Sequence, residues 1–239
     1  MRVFGGKASI ETFRWDFVYL AAQTLSDKRQ DVLALAPSIQ AKLGEIKTER
    51  DALEAAEDQE IFATALLNKR DRARDEVLVV AGGVTRNQDK ALYQTLFGKL
   101  SPSETAKLGL DAESKEVARI LGEIGKLPAN HPIRVTYEAD ITSSEAELKT
   151  AKTGSDAADT ALALQRSQMF RFKLDLDKFR VELHGKLLAL LKDKEEANSF
   201  FRPTKLSPEE TADKASDTAN PNAPKQPVVP PNPVVPPPA

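Results

Sequence analysis

The chain has no cysteine, and only two histidines, two methionines and one tryptophan among its 239 residues. Without thiols there are no disulfides, thiolate metal sites or cysteine nucleophiles, although the compartment stays open because many extracytoplasmic proteins also lack cysteine. Histidine is as uninformative for metal chemistry. Carboxylate-bridged centres in helical bundles use Glu-x-x-His, a spacing that turns both ligands inward. Neither His131 nor His184 follows a glutamate by three residues, and Glu182 and His184 are only two apart. No metal site is expected, His131 in A-N-H-P reads as a turn residue, and His184 reads as the flank of a helix.

Phosphate-cradling loops are missing too. G-G-K-A at 5–8 and G-K-L at 98–100 have neither the glycine spacing nor the hydroxyl such loops need, and they read as turns. Nucleophile elbows, dinucleotide fingerprints and kinase signatures are absent. The sequence therefore predicts no catalytic residue, no cofactor and no enzyme.

Long apolar runs are absent as well, which excludes a transmembrane helix. After M-R-V-F-G-G-K the first apolar stretch is interrupted by Glu11, Arg14 and Asp16, unlike a secretory signal, so a cytoplasmic chain is expected. Charge is nearly balanced at 34 basic and 36 acidic residues, with 32 of each before residue 207. Basic clusters at Lys69, Arg70, Arg72 and Arg74, and at Arg166, Arg171, Lys173, Lys178 and Arg180, are interleaved with acids. They read as solvated helix faces and not as a nucleic-acid surface. Trp15 and Tyr19 with Arg2, Lys7 and Arg14 would suit a membrane interface, but Glu11 and Asp16 oppose it. Docking of this aromatic segment on the end of a bundle is expected instead.

What is present is helix-forming sequence. Residues 1–206 are rich in Ala, Leu, Glu, Lys, Asp and Arg, and the fold class is all-α, either an elongated antiparallel helical hairpin or a four-helix bundle. Phe13, Trp15, Phe17 and Tyr19 alternate like a strand, but Ile10, Phe13, Phe17 and Leu20 share a helical face, which favours a helix. Val32, Ile39, Ile46 and Leu53 recur every seven residues across Pro37, which either begins or kinks the helix. Beyond Leu53 the apolar series shifts to Ile61, Phe62, Ala65, Leu66, Ala73, Val77 and Val80, and Gly82-Gly83 supplies a stop. A short helix from Asp89 to Phe97, a second one carrying Val117, Ile120, Leu121, Ile124 and Leu127, and a break at L-P-A-N-H-P follow. From Ile133 to Leu191 the pattern is helical again, with a break expected at Gly154. Met169, Phe172, Leu176, Phe179, Leu183, Leu187 and Leu190 form its stripe, which covers about half the circumference and so needs more than one partner helix.

The chain also repeats itself. L-F-G-K-L-S-P-S-E at 96–104 is echoed by F-F-R-P-T-K-L-S-P-E-E at 200–210, each with a Ser-Pro-x-Glu box that caps a helix. An offset of 104 also aligns Lys69 with Lys173, Asp71 with Asp175, Val77 with Val181, and Asp89-Lys90 with Asp193-Lys194. An internal duplication with halves 8–105 and 111–206 is the reading. Each half would hold one helix of roughly 55 to 60 residues, about 80 to 90 Å long, or two helices folded at Glu57 and Gly154.

Eleven of the fifteen prolines fall at or after Pro203. Residues 207–239 read as a disordered tail, a polar spacer followed by a polyproline II segment. Pro221, Pro224, Pro227, Pro230, Pro233 and Pro236 recur at every third position, one edge of such a helix, and 227–236 offers overlapping P-x-x-P cores. The functional expectation is a non-catalytic scaffold or adaptor with a protein partner or self-association. Its contacts would be Phe172, Leu176, Phe179 and Leu183 on the stripe, and Pro227, Pro230, Pro233 and Pro236 on the tail. The alternative is a small-molecule or cofactor site between helices near the aromatic N-terminal segment.

Overall fold

A computed structural model describes residues 3–203. The chain divides into Met1–Phe201 and Arg202–Ala239, and the architecture below is that of the first unit. The second capping box and the tail prolines, Pro227, Pro230, Pro233 and Pro236 among them, lie outside the described residues.

Every regular element among the described residues is helical: α1 (Ile10–Ser26), α2 (Gln30–Leu33), α3 (Ala36–Gln88), α4 (Lys90–Phe97), α5 (Pro102–Thr105), α6 (Leu110–Gly125), α7 (Pro132–Leu191) and α8 (Lys194–Ser199). None is long and apolar enough to cross a membrane. The ends are set by local chemistry. Ser9 accepts from the Thr12 amide to start α1. Pro37 sits in the first turn of α3 and begins it, where a missing N–H costs nothing. Ser101 and Glu104 form the reciprocal capping box of α5. His131 is less passive than a turn residue, because its Nδ1 accepts from the Ile133 amide and caps α7. Asp89 and Asp193 play one part twice, each accepting from two amides at the start of α4 and α8.

Two expected interruptions, at Gly82-Gly83 and at Gly154, do not occur, and the open alternative at Glu57 resolves to a continuous helix. α3 runs through both Glu57 and Gly82-Gly83, and α7 runs through Gly154. Gly82 is a packing requirement and not a stop: a Cβ there would lie 2.3 Å from Cγ of Pro102 in α5. Glycine in a helix interior costs about 1 kcal/mol relative to alanine, too little to end a helix that is packed on its neighbours.

The 53 residues of α3 and the 60 of α7 run side by side in opposite directions. The early part of α3 meets the late part of α7, Glu49 with Gln165 and Glu57 with Arg166, and further along α3 Arg70 meets Glu147 and Arg74 meets Glu145. Each end of this pair carries a core. At one, Phe13, Phe17 and Leu20 of α1, Ile39 and Ile46 of α3, Leu176, Leu183 and Leu187 of α7, and Phe200 and Phe201 come together. At the other, Leu78 and Ala81 of α3, Leu96 and Phe97 of α4, Val117, Ile120 and Ile124 of α6, and Ile141 of α7 do so. Between them the seam is narrow, with Ala63 facing a stretch of α7 that buries Leu148, Ala151, Ser155, Ala158 and Leu162. The wide stripe of α7 thus finds its several partner helices, α1, α3 and α8, within its own chain.

Candidate functional site

Leu176 and Leu183 are buried in the chain's own core, and Phe172 and Phe179 pack partly buried against it. Phe179 stacks on Phe17 with ring centroids 5.8 Å apart. The aromatic N-terminal segment is core as well, with Phe13 and Phe17 fully buried. Two other places carry unspent chemistry.

The first is a pair of buried arginines, one at each end. Both stand three residues after an aspartate, in D-R-A-R at 71–74 and D-K-F-R at 177–180. Arg180 in α7 donates from Nε to Asp16 of α1 at 2.7 Å and from Nη1 to Asp177 at 2.8 Å. The N-terminal strap completes this centre. Phe4 and Gly5 donate their amides to the two Asp177 oxygens at 3.1 and 2.5 Å, and the Phe4 ring lies 3.8 Å from the guanidinium. Gly5 has φ +73°, which the turn there requires. One cation, two carboxylates and two amides give a well-satisfied cluster.

The Arg74 end repeats the plan with more acid. Nη2 reaches Asp71 at 2.8 Å and Glu113 of α6 at 2.6 Å, and Nη1 reaches Glu145 of α7 at 3.1 Å. Arg74 is completely buried, as is Glu113. Asp75, one residue on, adds a fourth carboxylate. Lys149, mostly in solvent, is the only other cation paired here among the described residues, 3.3 Å from Glu145. Four carboxylates thus face one buried guanidinium.

The hydrogen bonding does not close either. Asp75 Oδ1, Glu145 Oε1 and both oxygens of Glu113 are buried and accept no hydrogen bond from the described residues. The Arg74 contact to Glu113 is therefore ionic and not an aligned bond. Burial first, and then the adjoining Asp75 carboxylate, push the Glu113 carboxyl up to about 8 against the pull of Arg74. Burial, helped by Asp75, also raises Asp71. Two ionised carboxylates have no hydrogen to share, so Asp75 and Glu113 can bond only if one takes up a proton. Oxygens of Asp71, Asp75 and Glu113 all lie within 4.8 Å of one another.

Sequence reasoning missed this cluster because it searched for histidine and thiolate ligands. The legible signal is the repeated D-[KR]-x-R, which aligns at an offset of 106, whereas Asp89 with Asp193 and Phe97 with Phe201 align at 104. Burial of the arginine and the approach of Glu113 from another helix have no local signature.

The second place is the narrow middle. Ile61 and Phe62, expected on the packed face of α3, are 63% and 65% exposed. Phe62, Ala63 and Leu66 with Ala146, Ala151 and Gly154 of α7 line an open groove of about 500 Å³. Along the same outer face of α3, Ala65 and Ala73 leave a hollow of about 490 Å³ beside Lys69 and Arg72. Small residues at the seam let the helices come close, and the bulky pair is left outside.

No family model, no curated protein and no solved structure matches this chain.

Proposed function

We propose that the protein is a non-catalytic cytoplasmic scaffold whose long helices associate through the exposed Ile61–Phe62 face, with a second copy of the chain as the partner. The observation that carries this reading is a large apolar pair standing in solvent, with Phe62 on the rim of an open groove floored by Ala63, Ala146 and Ala151. Exposed apolar clusters rimmed by charge mark interaction sites.

The charges favour a second copy running antiparallel. Glu57 and Asp58 precede the apolar pair, and Lys69 and Arg70 follow it. A two-fold axis between Ala63 and Thr64 sets Phe62 against Ala65, Ile61 against Leu66 and Asp58 against Lys69. This is the reciprocal pairing of an isologous interface. Further out, Asp51 would meet Glu76, so the contact is confined to the central turns. In the same reading the P-x-x-P cores through Pro227, Pro230, Pro233 and Pro236 offer a second docking element for an aromatic-lined groove.

Sedimentation equilibrium of the full chain tests the pairing. The expected result is a dimer that Phe62→Glu converts to monomer and that Lys69→Glu weakens. Adding Asp58→Lys to Lys69→Glu restores it, since both reciprocal contacts regain opposite charges. A wild-type chain that stays monomeric at high micromolar concentration overturns the reading.

A further inference from the structure

We propose that Asp71, Asp75 and Glu113 form a binding site for a hard divalent cation of the magnesium class. The inference is independent of the dimer and rests on the unequal solution of one electrostatic problem at the two ends of the molecule.

At the Arg180 end, Asp177 Oδ1 accepts from both the guanidinium and the Phe4 amide, and its Oδ2 accepts from the Gly5 amide. The corresponding aspartate at the other end, Asp71, receives no main-chain amide from the described residues, and a third of its side chain is exposed. Behind it stand Asp75 and Glu113. The Glu113 side chain is only 1% exposed, and its Oε1 lacks both a hydrogen bond and an ion pair among the described residues. A buried, ionised carboxylate with an oxygen left without a counter-charge is costly, and several together are more so. Added positive charge at the point where these oxygens converge relieves that cost, a proton in the metal-free protein or a cation in its place.

The donor chemistry selects the ion. All three ligands are carboxylate oxygens, which suit hard cations, while sulfur and imidazole donors are absent from the group. Three protein ligands leave coordination positions for water, as magnesium and manganese commonly keep when few carboxylates bind them. The exposed edge of Asp71 gives the ion a path from solvent. Arg74 contacts Oδ1 of Asp71 and Oε2 of Glu113, which leaves the second oxygen of each for a ligand.

The test is titration of the full chain with Mn²⁺, followed by electron paramagnetic resonance of the free ion and by thermal unfolding, with Mg²⁺ as competitor. The expected result is one saturable site per chain, displaced by Mg²⁺, with a rise in unfolding temperature. Asp75→Asn and Glu113→Gln should each weaken binding by about tenfold or more, since even residues that only support a ligand are worth that much. Glu182→Gln, exposed on α7 and outside both the cluster and the proposed dimer face, should leave it unchanged. Two variants are used because either could disturb α6 packing, and circular dichroism checks that each remains helical. Absence of saturable binding, or binding that survives both substitutions, overturns the proposal. Stabilisation by acid without stabilisation by Mn²⁺ overturns it too, because a proton would then be the missing charge.

Discussion

A buried arginine is stable only while its carboxylates are present, and those carboxylates only while the arginine is. Removing one partner of such a pair costs about 3–5 kcal/mol, because a charge is then left in a medium that does not solvate it. Arg180 meets this condition with two aspartates and a ring beneath it. Arg74 is surrounded by Asp71, Asp75, Glu113 and Glu145, with Lys149 at the edge, and the surplus is negative. The sign of the pH dependence follows. In metal-free protein the folded chain binds the Glu113 proton more tightly than the unfolded chain does, since its pKa rises from an ordinary 4.5 to about 8. The associated stability is complete below the unfolded value and is lost as pH rises through the folded one. Thermal unfolding in chelator, from about pH 5 to about pH 9, should show stability falling with pH. Glu113→Gln, which keeps the shape and cannot ionise, should flatten that fall. An unchanged slope would remove Glu113 from the account.

At the scale of the element, the question is how one helix persists for 53 residues and another for 60. Isolated helices of this composition gain little per residue, and most helical stability comes from a packed face. Glycines inside them report on that packing. Gly83 and Gly154 have no atom within 4 Å of the position a Cβ would take, whereas at Gly82 a Cβ would meet the Pro102 ring. Gly83→Ala and Gly154→Ala should therefore each stabilise by about 0.5–1 kcal/mol. Gly82→Ala should destabilise by about 1–3 kcal/mol. Urea unfolding of the three variants checks the signs. Destabilisation by Gly154→Ala would show that α7 bends there. The heptad of the α7 stripe was readable in the sequence, because long helical periodicity is a local signal. The buried face of α3 beyond Leu53 was not. The apolar series pointed to Ile61 and Phe62, and the helix instead buries Ala63, Arg74 and Leu78.

Across the helical unit, burial is concentrated at the two ends and thin between them. Each end joins several helices around a core of large side chains, and the middle joins only two through small ones. Local opening is easiest where few apolar contacts must break. Hydrogen exchange should thus be fastest in the middle of α3 and the facing part of α7, and slowest where α3 and α7 pass the end cores. A uniform protection pattern would contradict this. Exchange in the middle should slow with protein concentration if the Ile61–Phe62 face pairs with a second copy.

By itself the sequence determined the helical class, the break before α7 and the capping box at Ser101. These depend on residues within a few positions of one another, where backbone geometry and side-chain hydrogen bonds decide the outcome. Only the tertiary structure decided that Gly82 and Gly154 would stay helical, that Phe62 would stand outside, and that Asp71, Asp75 and Glu113 would meet around Arg74. Those outcomes turn on what an opposing helix brings to a position. A glycine or an arginine carries no mark of whether a proline ring or a carboxylate from elsewhere in the chain will be placed against it.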